Sequence, residues 1–451
     1  MLFKFFHRVK LFFSSLGVVG FLLLLTDYCL LPTFSCEAQS DVLKYAHQIV
    51  DTLASPSMHG RGYVNQGESI AAEYLKNELE KYKLKSFGVN FYQSFFFSVN
   101  TFPGNFGLGF RGTDKYFENG SDVLINPSSP QTEDNRYKVL WFDSSVVSSK
   151  KNLKSFEKND FSDKVIIIDS KGVKESTQLD LIEKAKQNPY HSRGIVIFNN
   201  KKLTWDVSQT TASFPSFELL VPDSLNKVRH KQFEYLHFYV ENKFIPNYES
   251  QNVIGYIKGT QYPDSFIVFS AHYDHLGQMG KDVYFPGAND NASGCAMLLN
   301  LAKYYSEHPP KYSVAFMAFG GEEVGLIGSK YYVEHSLFPL KQIKFLVNMD
   351  IMGTGDEGIK VVNATEHKKE FDELMKINSE KKLLPSVQPR GKAAISDHYF
   401  FEEAGVKTFF IYTLGGIKAY HDIYDRPETL PLTKFEEVFK LLTDFSEYLQ
   451  K

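Results

Sequence analysis

A chain of 451 residues is long for one domain, so its length predicts two once any targeting segment is set aside. Hydrophobic residues make up 43% and charged residues 23%, which is ordinary globular chemistry and excludes a disordered chain. The formal net charge of -3, without a long run of like charge, excludes an electrostatic footprint for nucleic acid.

The chain opens with Lys4, Arg8 and Lys10, then an almost wholly apolar stretch from Leu11 to Leu25, and a second apolar patch that runs to Phe34. This is the pattern of a secretory signal. Cys36 and Ala38 offer small residues at the two positions a signal peptidase reads, so residues 1–38 read as a signal peptide cleaved after Ala38. Two other fates stay open: retention as a membrane anchor extended through Tyr28 to Leu31, or lipid attachment at Cys36. In each case the protein is exported, and it meets a membrane only if the segment is retained or lipidated. Of the three cysteines, Cys29 and Cys36 lie in or beside the signal. Cys295 is then left alone, and the exported chain must rely on core size in place of disulfides. The sequons at Asn119, Asn291 and Asn363 read as chance matches.

Ser40 to Tyr82 reads as helical, with Ala71, Ala72, Leu75, Leu79 and Tyr82 at helical spacing. Asn90 to Val99 reads as a strand, and the Gly- and Pro-rich passage Thr101 to Pro130 as loops. Between about Arg136 and Glu241 short apolar runs recur at Val139–Phe142, Val165–Ile168, Ile195–Phe198 and Phe238–Val240, around a helix at Leu179–Lys186. These predict a small β-rich module. From Gln251 onward apolar strands (Ser265–Phe269, Tyr312–Phe319, Phe345–Val347, Val406–Tyr412) alternate with helices such as Ala292–Tyr305. That alternation predicts an α/β fold with a mixed, largely parallel sheet covered by helices on both faces. Ligands of such sheets gather beyond the carboxyl ends of the strands.

Candidate ligands fall in those places. The strand FIVFSA leads to His272 and Asp274. The loop PGANDNASG carries Asp290, and YSVAFMAFGG is followed by Glu322 and Glu323. FLVNMD ends in Asp350, and Tyr420, His421 and Asp422 follow TFFIYT and a Gly-Gly turn. Imidazole and carboxylate without thiolate suit zinc in a hydrolytic site. Two histidines and three carboxylates exceed the needs of one catalytic zinc and fit two if Asp290 bridges them. Each residue alone has a plainer reading: a packed histidine, a solvated Glu-Glu pair, or an aspartate capping a turn. Their recurrence in one half of the chain favours a site.

HYDHLG, PGANDNASG, FGGEEVGLIGS, NMDIMG and YHDIYDRPET resemble, in order, the signature blocks of the M28 zinc peptidases. The resemblance covers roughly Gln251 to Pro431. It implies a zinc-peptidase fold with two zinc ions, His272 and Asp350 on one, Glu323 and His421 on the other, and Asp290 between them. It further implies Glu322 as general base, Asp274 and Asp425 supporting the ligands from behind, and a cis Asp290–Asn291 peptide. DFSDKVIIIDSKG, RGIVIFNN and FPSFELL resemble the protease-associated domain. The expected order is then signal peptide 1–38, first part of the peptidase domain 39–115, protease-associated-like insertion 116–245 and catalytic domain 246–451. Asp422 departs from the family, which commonly has Thr or Ser there.

The expected activity is an aminopeptidase acting on peptides with a free N-terminus, with Tyr420 as a donor to the tetrahedral oxyanion. Three other readings stay open: a carboxypeptidase-type relative acting on acidic C-terminal residues, for which Arg390 is the basic residue to watch; a single-zinc glutaminyl cyclase; and a non-catalytic peptidase-like binding protein.

Overall fold

The computed structural model describes residues 40–110, 117–221 and 234–451. The expected signal segment, with Lys4, Arg8, Lys10, Cys29, Cys36 and Ala38, lies outside the described residues.

The principal sheet has eight strands in the spatial order Tyr92–Thr101, Lys243–Ile257, Tyr312–Phe319, Tyr262–His272, Ile343–Met349, Thr408–Leu414, Gly358–Val362 and Val387–Pro389. The four strands from Tyr312–Phe319 to Thr408–Leu414 are mutually parallel. Tyr92–Thr101 and Lys243–Ile257 add antiparallel on one side, and Gly358–Val362 adds antiparallel on the other. The sheet is therefore mixed with a parallel centre.

Its strands read as continuous apolar runs because both faces are covered. In Tyr262–His272 the side chains of Ile267, Phe269 and Ala271 enter one core, with the helices Asp41–Leu53, Gly67–Lys81, Gly294–Glu307 and Phe435–Leu449. Phe266 and Val268, one residue out of phase, enter the other core with Tyr332 and Phe401. Successive side chains point to opposite faces of a strand, so a two-sided core leaves no polar alternation to read.

A second sheet has seven strands in the order Phe106–Phe110, Tyr235–Val240, Thr132–Phe142, Lys164–Asp169, Gly194–Asn199, Ser216–Leu220 and Val123–Ile125. Four of these are parallel neighbours, from Thr132–Phe142 to Ser216–Leu220. The helices Ser144–Val147, Lys150–Phe156 and Ser176–Lys186 share a core with Ile166 and Ile168. This region is more helical and more parallel than a small β-rich module. Its first strand, Phe106–Phe110, lies in a passage that reads as loop and falls ahead of the expected 115/116 boundary. Two glycines in FGLGF hide its strand character, and its partner Tyr235–Val240 is distant in sequence. At the other end, pairing with Tyr92–Thr101 already begins at Lys243.

Candidate metal centre

Four strand ends and three loops converge on one cavity of about 300 Å³. His272 ends its strand with the imidazole buried, and its Nδ1 lies 3.1 Å from the carbonyl of Asp274. That carbonyl can only accept, so Nδ1 carries a hydrogen and Nε2 is left facing the cavity, where it can hold a second proton or, once deprotonated, a metal. His421 is held the same way, with Nδ1 3.0 Å from the carbonyl of Trp205.

The two imidazoles face opposite oxygens of one carboxylate. His272 Nε2 is 3.3 Å from Asp290 Oδ1 and 3.4 Å from Asp350 Oδ1. His421 Nε2 is 3.2 Å from Asp290 Oδ2 and 3.2 Å from Glu323 Oε2. Two ligand atoms about 2.0–2.2 Å from one zinc at a tetrahedral angle stand roughly 3.3–3.5 Å apart. The spacing therefore fits a cation on each side of Asp290, and Asp350 Oδ1, buried without a hydrogen-bond donor, is aimed into one of these positions. All three groups of His, Asp and Glu able to hold a metal among the described residues lie in this cluster.

The electrostatics match this crowding. Burial opposes the charge on Asp290, but hydrogen bonds from His272 and His421 hold its carboxyl well below the usual range. Burial and Asp290 push Glu323 up, yet His421 and His275 outweigh them and hold it at about 2. Burial would lower His421, whereas Glu323 and Asp290 raise it to about 11. Glu322 is pushed well above the carboxylate range, mainly by burial, with Glu323, Asp397 and Asp350 adding to the rise.

The loops are held by groups behind them. Asp274 accepts the backbone N–H of Glu322 at 3.1 Å and of Glu323 at 3.2 Å, and the Tyr63 hydroxyl at 2.9 Å. Asp425 accepts the N–H groups of Asn289 and Asp290, at 2.8 and 3.0 Å. Both aspartates thus position the backbone that carries Glu322, Glu323 and Asp290. The Asp290–Asn291 peptide is cis, as the resemblance implies. Gly287 starts this turn at φ +59°, and a Cβ there would sit 2.3 Å from the Asp290 carbonyl.

The sequence reading missed several residues. Arg61 is fully buried, and its guanidinium donates to five carbonyls: Leu53, Tyr273, Pro286, Gly287 and Asp290, at 2.7 to 3.3 Å. It ties the start of the chain to the residue after His272 and to the Asp290 loop. No periodicity marks it; its flanking glycines are the one signal, and they let Gly60 and Gly62 pass against Gly277. His275 lies within HYDHLG, and its Nδ1 is 2.7 Å from Glu323 Oε1. Ser396 donates to Asp350 at 3.3 Å and receives from Asn348. Asp397 is fully buried nearby, with its pKa raised by burial to about 7.

Tyr420 lines the cavity, half exposed, with its ring stacked on His421 at 4.0 Å. Asp422 points away from the imidazole: its Oδ2 pairs with Lys202 at 2.6 Å. Lys202 also donates to the carbonyls of Lys418 and Tyr420, and the Trp205 N–H donates to the carbonyl of His421. The segment after strand Gly194–Asn199 therefore clamps the loop that carries His421. Among the sequons, Asn291 and Asn363 are fully buried.

Residues 252–446 match the model of peptidase family M28. The chain is 30% identical over 239 residues to aminopeptidase YwaD of Bacillus subtilis, covering 51% of this chain and 50% of that protein. It is 36% identical over 113 residues to a probable zinc metalloprotease of Pyricularia oryzae, covering 24% of this chain and 22% of that protein. The chain thus spans half or less of the length of these curated relatives. The fold is similar to that of BSAP, a zinc aminopeptidase from Bacillus subtilis, with a TM-score of 0.65 at 22% identity over 90% of this chain and 95% of that one. It is also similar to a peptidase M28 precursor from Shewanella amazonensis, with a TM-score of 0.67 at 16% identity over 91% and 95%. The match to peptidase family M28 is confined to residues 252–446, the part of the chain that carries the cluster around Asp290.

Proposed function

We propose that this protein is an exported, zinc-dependent aminopeptidase that removes residues from the free N-terminus of peptides. The observation that carries the reading is Asp290, whose two oxygens face two different histidines. His272 and Asp350 would hold one zinc, Glu323 and His421 the other, and Asp290 both. Zinc bound there supplies Lewis acidity toward the scissile carbonyl and acidifies the attacking water.

The chain's own groups do the rest. Glu322, which lines the same cavity, takes the proton from that water and later delivers it to the leaving amine. Tyr420, whose phenol is held protonated by burial and the surrounding carboxylates, donates to the tetrahedral oxyanion. The acidic cluster draws the α-ammonium of the substrate to the same wall. The second sheet would be the protease-associated-like insertion, acting through its clamp on the His421 loop. Export rests on residues 1–38 as a signal peptide.

The test is metal content per chain together with hydrolysis of unblocked amino-acid p-nitroanilides, with and without chelator. Two zincs and chelator-sensitive release are expected, and Glu322→Gln should keep both metals while kcat falls by about 10²–10⁴-fold. One zinc with cyclisation of N-terminal glutamine would instead place the protein among the cyclases and remove the bridging role of Asp290.

A further inference from the structure

The cavity has two chemically different walls. One carries the imidazoles and carboxylates. The other is built from Ile351, Ile395, Phe410 and Tyr412, with Arg390 exposed at its rim. The Arg390 backbone is tied at both ends, its N–H donating to the Val361 carbonyl at 2.8 Å and its carbonyl accepting from Ala364 at 3.1 Å. Its Nη1 donates to the Tyr412 hydroxyl at 3.1 Å. The neighbouring cation Lys392, two residues on, is already paired with Glu403. Among the described residues no carboxylate is in ion-pair contact with Arg390.

We propose that Arg390 and Tyr412 make the enzyme selective for peptides whose first residue is glutamate or aspartate, by binding that residue's side-chain carboxylate. This rests on the aminopeptidase reading. With the α-ammonium at the acidic wall and the scissile carbonyl at the cluster, the rest of the peptide leaves through the mouth. The side chain of the first residue then meets the opposite wall. Ile351 and Phe410 accept its methylenes. The remaining N–H groups of Arg390 form a planar fork that matches a carboxylate. The Tyr412 hydroxyl already accepts from Arg390, so its own proton is available to the same anion. A leucine would leave these donors against methyl groups, and a lysine would bring two cations together, so the wall selects by rejection as well as attraction.

The test uses the zinc-loaded full chain with Glu, Asp, Leu and Lys p-nitroanilides and an N-blocked dipeptide ending in glutamate. The acidic substrates should have the higher kcat/KM. Arg390→Gln should lower the Glu-to-Leu ratio by about 10- to 150-fold, the range for a hydrogen-bonded charge. Arg390→Lys, which keeps the charge and loses the fork, should fall between, and Arg390→Glu should shift preference toward lysine. Free L-glutamate should compete more tightly than L-leucine in the wild type and lose that advantage in Arg390→Gln. A Glu-to-Leu ratio unmoved by Arg390→Gln, or a wild type that prefers leucine or lysine, overturns the proposal and leaves the aminopeptidase intact. Cleavage of the N-blocked dipeptide without release from any free-amine substrate overturns both.

Discussion

The two sheets share a plan, a parallel centre with antiparallel edges, yet their strand-end carboxylates have opposite fates. In the second sheet Asp143 follows Thr132–Phe142 and accepts from the backbone N–H and hydroxyl of Ser145 at 2.9 and 2.6 Å. Asp169 ends Lys164–Asp169 and accepts the N–H of Lys171 at 2.9 Å. These groups satisfy their own turns. In the principal sheet His272, Glu323 and Asp350 turn inward to a common point with Asp290, while Asp274 and Asp425 supply the support for the backbone. A cavity of about 700 Å³ beside the second sheet gathers Glu133, Asn135, His191 and Arg193, yet among the described residues no cluster able to hold a metal lies there. An aspartate at a strand end is therefore no mark of function, and neither is cavity size. Convergence is the mark, with imidazoles whose Nδ1 atoms are already engaged.

The largest effect that would break this contrast is loss of the device that holds the convergent loops. Arg61→Met leaves five buried carbonyls without their donor, and we expect a cost of about 3–5 kcal/mol in denaturant unfolding together with lost metal. Arg61→Lys, with fewer donors, should recover part of this. An unchanged unfolding midpoint in Arg61→Met would show that the loops hold themselves.

An intermediate case is Glu68, buried beside the site but used for neither cap nor ligand. It accepts from Ser250 at 2.5 Å, and burial, with help from Asp274, raises its pKa from 4.5 to about 8. The folded state thus holds a proton that the unfolded chain has released between those values. Stability from this source is full below about pH 4.5 and falls as pH rises toward 8, by roughly 1.4 kcal/mol per unit of that window. Glu68→Gln should become progressively more stable relative to the wild type from pH 5 to 8, as read by melting temperature across pH. A constant difference would mean Glu68 is ionised throughout.

The smallest effect belongs to the second sheet. Asp143→Ala removes a helix cap and should cost about 1 kcal/mol, with metal content and kcat/KM unaltered. A change in bound metal would show that the two sheets are coupled more tightly than through the Lys202 and Trp205 contacts.

Much of the principal domain was legible because its signals are local. Tyr312–Phe319 matches its expected span residue for residue, and the other central strands lie where their apolar runs stand. The ligand candidates could be named because each sits just past such a run or in a Gly-rich turn. Phe106–Phe110 was not legible, since its pairing with Tyr235–Val240 is long-range and its glycines weaken the strand signal. His275 stood in a recognised block yet carried no role, because only its distance to Glu323 assigns one.

By itself the sequence determined the alternation of strands and helices, the order of the five motif blocks and hence the resemblance to the M28 peptidases, for these depend on residue type at fixed short spacings. Tertiary structure alone decided that the Asp290 oxygens divide between two histidines and that Arg61 bonds backbone from three separate segments. It also decided that Asp422 serves Lys202 instead of the imidazole, and that Arg390 shares a cavity with Asp350. Each of these is a relation between groups far apart in the chain, and only the packing of the sheet with its helices fixes such distances.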